Sequence, residues 1–160
     1  MRISGRRLGG AVARLLVLVV VAVAVIAGVR WRAAGVAHAI TPPAGATVPA
    51  SGADTDVLDR AAIIERSLRN DRGEATVRIY AVPPGSPWLQ SRQIVATQLD
   101  HWEQRGDCAD RPDASIVECA WREPTRWWPR EVALTMVRLS PTGPDGSRPT
   151  YVIIGSAVGA

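Results

Sequence analysis

The residues best suited to chemistry in this chain are two cysteines, one histidine beside carboxylates, and a run of tryptophans and arginines. Cys108 and Cys119 are the only thiols, with ten residues between them. An even cysteine count in an exported chain reads as a disulfide, and closing a loop of that size adds about 3 kcal/mol in the loop-entropy treatment. Zinc is not indicated, because His101 and the two cysteines have no zinc-ligand spacing. Asp107, Asp110 and Asp113 recur every third residue next to Cys108. A calcium loop of the EF-hand kind needs acids two apart, yet Ala109 and Arg111 stand where the next two ligands would be. These acids therefore read as a solvated loop.

His101 lies between Asp100 and Glu103. A histidine oriented by a carboxylate is the pattern of a general base. On a helix, however, neighbours at i−1 and i+2 do not face it, and no nucleophile is placed beside it by spacing. Gly155-Ser156-Ala157-Val158-Gly159 is only loosely like a nucleophile elbow, whose first Gly belongs two residues before the Ser. No catalytic set, cofactor motif or metal set is legible. The chain has no Lys, which removes the Walker A loop, the Lys Schiff base and the Ser–Lys dyad from consideration.

Trp121 to Arg130 is the most distinctive stretch, with three of the chain's six tryptophans, three arginines and two prolines in ten residues. Buried, these tryptophans would fill a core that has no Phe. Exposed, a Trp/Arg loop anchors a protein partner, stacks on sugars or sits in a membrane interface. Trp127 and Trp128 are adjacent, so on an extended segment they point to opposite sides. Arg126, Trp127, Trp128 and Arg130 are the candidate partner contacts, with one tryptophan of the pair exposed.

What must position these residues begins with a membrane-targeting segment. Arg2, Arg6 and Arg7 precede a run at 8–29 that carries one charge, Arg14, and is apolar or Gly from Leu15 to Val29. Twenty-two helical residues span roughly 33 Å, enough for a bilayer core of about 30 Å. Arg14 can snorkel, and Arg30-Trp31-Arg32 reads as the far interface. The arginine bias predicts residues 1–7 in the cytoplasm and the remainder outside. A cleaved signal peptide is the alternative, since Val25-Ile26-Ala27 and Ala37-His38-Ala39 both fit the small-x-small pattern.

Residues 30–53, rich in Ala, Gly, Pro and Thr, read as an extended spacer. Residues 54–160 form the exported domain. Val57, Ala61, Ile64 and Leu68 recur at helical spacing behind the cap candidates Asp54, Thr55 and Asp56, and Asn70-Asp71-Arg72-Gly73 supplies a stop. Glu74 to Val82 alternates as a half-buried strand, with Val77, Ile79 and Ala81 inward. Ser86-Pro87 opens a second helix that carries Trp88, Val95, Leu99 and Trp102 on one face and closes at Gly106. Strands follow near 115–121, 131–139 and 150–158, with a turn at 141–146. The order α-β-α-β-β-β predicts an α+β domain with helices on one face of a mostly antiparallel sheet, a ferredoxin-like variant being one form.

The formal charge of +4 divides unevenly: residues 1–32 hold six Arg and no acid, and the other 128 hold 13 Arg against 15 acids. The basic surplus thus flanks the membrane segment, and the slightly acidic domain gives no support to nucleic-acid binding. The Arg excess without Lys is what a GC-rich bacterial genome produces. The functional expectation is a non-enzymatic envelope protein, anchored by one helix and acting by protein binding as an accessory subunit of an envelope or secretion assembly. The alternative is a secreted ligand-binding protein or glycan-acting enzyme, using carboxylates such as Asp100 and Glu103 between Trp walls.

Overall fold

The computed structural model describes residues 5–83, 85–109, 111, 113–125, 127–140 and 149–159. Apolar runs and caps dictate the first two helices. Helix α1 (Gly5–Ala34) contains a 25-residue stretch, Gly10–Ala34, long and apolar enough to cross a membrane, and its valines and leucines lie open along its length. Such a helix is consistent with membrane anchoring or with a signal sequence. Helix α2 (Thr55–Arg72) starts where expected: the Asp54 carboxylate accepts the Asp56 N–H at 3.0 Å. Gly73, at φ 89°, ends it and donates its N–H to the Arg69 carbonyl at 2.8 Å.

The remaining elements are β1 (Ala75–Val82), α3 (Trp88–Gln98), β2 (Glu103–Arg105), β3 (Ile116–Arg122), β4 (Glu131–Arg138) and β5 (Thr150–Ala157). They make an α+β domain around one five-stranded sheet of order β1-β5-β4-β3-β2, antiparallel at every pairing. β5 lies between β1 and β4 and is buried from Val152 onward. The turn expected at 141–146 lies outside the described residues.

Both faces of the sheet are covered, which corrects the expectation of helices on one face. Val57, Ala61, Ile64 and Leu68 of α2 pack with Val137, Ile153 and Ala157. Trp88 and Val95 of α3, and Leu99 at its C-terminal cap, pack with Met136, Val152, Ile154 and Trp121 on the other side. Residues 136 and 137, and 152 and 153, go to opposite cores because successive strand side chains alternate. β1 shows the same division: Val77 and Ile79 meet the α2 core, while Tyr80 and Val82 are buried in the α3 core. The polar half of its alternation is thus polar only at Thr76 and Arg78. Gly155 permits the close approach of α2, since a Cβ there would stand 2.6 Å from Leu68 Cδ1 and 3.2 Å from Ile64 Cγ2.

α3 is shorter than the spacing predicted at both ends. Ser86 donates its backbone N–H to the Pro83 carbonyl at 3.1 Å, and Pro87 occupies the cap position with no side-chain cap bond. At the other end His101 has φ 70°, and Glu103–Arg105 pair with Arg122–Ala120. Strand pairing with β3 satisfies this backbone better than a further helical turn without a partner surface. Gly106, at φ 73°, turns the chain out of β2 instead of closing a helix.

Residues 35–53 are extended but not detached. Thr47 and Ala81 exchange backbone hydrogen bonds of 2.9 and 2.8 Å, which covers part of the free edge of β1. The Gln98 side chain accepts from Thr41 N–H at 2.7 Å and donates to the Thr41 carbonyl at 3.2 Å. Ile40 and Ala46 pack on the α3 core, and Ala53 on the α2 core. The composition cannot build a core, but it lays a strap across one.

Candidate functional site

Cys108 and Cys119 form a disulfide with Cα atoms 4.9 Å apart, both buried in the α3 core. The bridge ties the chain after β2 to β3, at the same face as Val117 and Trp121. A disulfide fits a domain in an oxidising, extracytoplasmic compartment. The described residues contain no free cysteine.

The stretch from Glu123 to Arg130 joins β3 to β4, and the hairpin register explains its shape. Arg122 faces Glu131 in the ladder, so the next pair outward is Glu123 and Arg130. The Arg130 guanidinium donates to both Glu123 carboxylate oxygens, from Nε at 2.9 Å and from Nη2 at 3.0 Å. Glu123 N–H also donates to the Arg130 carbonyl at 3.0 Å. The hydrogen bonds from Arg130 hold the Glu123 carboxyl below its ordinary value, against the opposing effect of burial, with the Arg130 charge adding to them. On its other side Arg130 lies 5.6 Å from the Trp102 ring centre, and Trp102 packs 5.3 Å from His38 of the strap.

Beyond this pair the turn is fixed by its own hydroxyl. Thr125 Oγ1 accepts the Trp127 N–H at 3.2 Å and donates to the Trp127 carbonyl at 3.0 Å. Trp128 then adopts φ 54°, a conformation rare for a bulky residue. Gly159 leaves room for it, since a Cβ at 159 would fall 2.0 Å from the Trp128 carbonyl oxygen. Trp127 is 54% exposed and Trp128 half-buried, with the two rings edge-to-face at 5.9 Å.

Of the four candidate partner contacts, the structure therefore exposes Trp127, half-buries Trp128 and engages Arg130 internally; Arg126 lies outside the described residues. The hairpin register could have signalled the Glu123–Arg130 pair. His38, Arg30 and Gly159 carried no signal, because only the folded chain brings them here.

This turn stands beside α1. Gly159 donates its N–H to the carbonyl of Ala34 at 2.9 Å, and Ala34 is buried. A cleft of about 790 Å³ separates the two elements, with Val23, Ile26, Ala27 and Arg30 on the helix side and Trp127 and Trp128 on the other. Asp100 and His101 also line it. The left-handed turn at His101 brings its Nε2 to 3.1 Å from Asp100 Oδ2, a contact that an uninterrupted helix would not make. Its side chain is 89% exposed. Ser156 lies buried within β5 and not on an exposed elbow. Glu103 is exposed in β2 and does not line the cleft.

Among the described residues no three His, Cys, Asp or Glu side chains converge as a metal site; Asp107 and Asp113 are exposed, and Asp110 lies outside those residues. No protein-family description, curated protein or solved structure matches this chain.

Proposed function

We propose that this is a single-pass envelope protein, retained by α1 with its N-terminus in the cytoplasm. Its disulfide-bridged domain binds another envelope protein, as an accessory subunit of an envelope or secretion assembly. The observation that carries this reading is Trp127, an exposed tryptophan on a turn held in one shape by Thr125, Glu123 and Arg130, directly beside the membrane helix. A large aromatic presented without further ordering cost is the usual centre of a binding surface. Retention of α1 is supported by the buried Ala34 and its bond to Gly159, which cleavage after Ala39 would remove.

The test is affinity purification of the full chain from membranes of the producing cell in mild detergent. A discrete protein should accompany the wild type and be lost from Trp127→Ala at equal yield of folded chain. Recovery of the bare protein, or of the same companions with both forms, overturns the reading.

A further inference from the structure

We propose that the cleft between α1 and the 123–128 turn holds a phospholipid of the outer leaflet, and that Trp127 is seated in the membrane interface as a second contact with the bilayer. This rests on the reading of α1 as a retained anchor, and it places the partner contact at Trp127 within the membrane interface. The first support is depth. The cleft follows α1 from Ala34 back to Val23, eleven residues or roughly 16 Å of helix. Arg30-Trp31-Arg32 has the composition of an interface belt. Val23, Ile26 and Ala27, on the side of that belt toward the middle of α1, line the same cleft as Trp127 and Trp128.

The second support is the chemistry of the walls. Val23, Ile26 and Ala27 give an apolar surface continuous with the membrane helix, suited to an acyl chain. Tryptophan is the side chain that membranes place at the headgroup boundary, and Trp127 of the turn is 54% exposed. The third support is charge. Arg130 is neutralised by Glu123, whereas Arg30 at the cleft has no hydrogen-bond or ion-pair partner among the described residues. An unpaired guanidinium next to an apolar wall fits a lipid phosphate. Asp100 and His101 lie 3.1 Å from each other, so among the described residues neither is paired with Arg30.

The experiment uses the full chain in vesicles of phosphatidylcholine and phosphatidylglycerol. Cys108 and Cys119 are bridged, so Trp127→Cys supplies a single thiol for a nitroxide label. Ser67→Cys, on the exposed face of α2, gives the reference. Electron paramagnetic resonance should show the label at 127 colliding several-fold more with oxygen than with a water-soluble nickel chelate, and the label at 67 the reverse. A label at 127 that behaves as the one at 67 overturns the membrane seat. A label shielded from both reagents, in vesicles that hold no other protein, means that a second copy of the chain covers the turn, which also overturns it. Arg30→Gln should lower the phosphatidylglycerol retained through detergent extraction, read by native mass spectrometry; unchanged retention overturns the phosphate assignment. Alkaline washing of the same vesicles separates the two failures. Release of the chain sinks the anchor reading, whereas a retained chain with a water-exposed label sinks only the seat.

Discussion

Two tryptophan environments in this molecule differ more than any sequence property of the residues in them. Trp88 and Trp121 are each 3% exposed between α3 and the sheet, whereas Trp31 and Trp127 are 64% and 54% exposed at the end of α1 and in the adjoining turn. In the first region a flat strand face offers the ring a complete apolar partner. In the second, the Glu123–Arg130 pair closes the β3–β4 ladder and Trp127 stands in the turn beyond it, so the ring has no layer to pack beneath. Aromatic content thus serves stability in one place and an outward surface in the other, and what separates them is the end of the β3–β4 ladder.

Substitutions across the two regions should separate sharply. Trp121→Ala removes a buried ring from the α3 core and should cost about 3–5 kcal/mol. That is a large part of the total for a domain this size, and a thermal melt by circular dichroism would reveal it. Slightly smaller is loss of the bridge: Cys108→Ser with Cys119→Ser should cost about 3 kcal/mol by freeing the unfolded chain, read as a lower denaturant midpoint. The Glu123–Arg130 pair belongs to the outward region and should show itself through pH. Its carboxyl is lowered in the folded state, so the stability it contributes is complete above its ordinary value near 4.5 and is lost as pH falls through the lower folded value. Glu123→Gln should therefore lower the melting temperature at neutral pH and flatten its decline below pH 4.5. An unchanged acid limb would remove the pair from the account of the turn. Trp127→Ala should have the smallest effect, within about 0.5 kcal/mol, because little packing is lost. A core-sized loss there would mean that Trp127 belongs to the first region after all.

Much of the fold was legible where local rules agree with tertiary packing. The cap at Asp54, the stop at Gly73 and the buried stripe of α2 are written in adjacent residues. So are the strands β3, β4 and β5, within a residue or so at each end. α3 ends earlier than its spacing predicts because Leu99 and Trp102 keep helical spacing while the backbone between them turns at His101, and periodicity does not register a positive φ. A one-faced sheet does not hold because β4 and β5 are apolar on both sides, with Met136 and Val152 in the α3 core and Val137 and Ile153 in the α2 core. The site was less legible than the fold. Trp127 was one of two candidates, and only the left-handed turn at Trp128, accommodated by Gly159, separates them.

Composition and near neighbours fix the apolar N-terminal helix, the α+β element order and the cysteine pair. Each depends on composition or on neighbours within a few residues, which set helix length, caps and strand alternation directly. The covering of both sheet faces, the strap of residues 35–53 across the domain and the place of the 123–128 turn beside α1 come from long-range packing. These depend on contacts between segments far apart in the chain, such as Gly159 with Ala34 and Gln98 with Thr41. Such contacts form because the whole backbone must satisfy its hydrogen bonds and apolar surface together, and no local spacing encodes them.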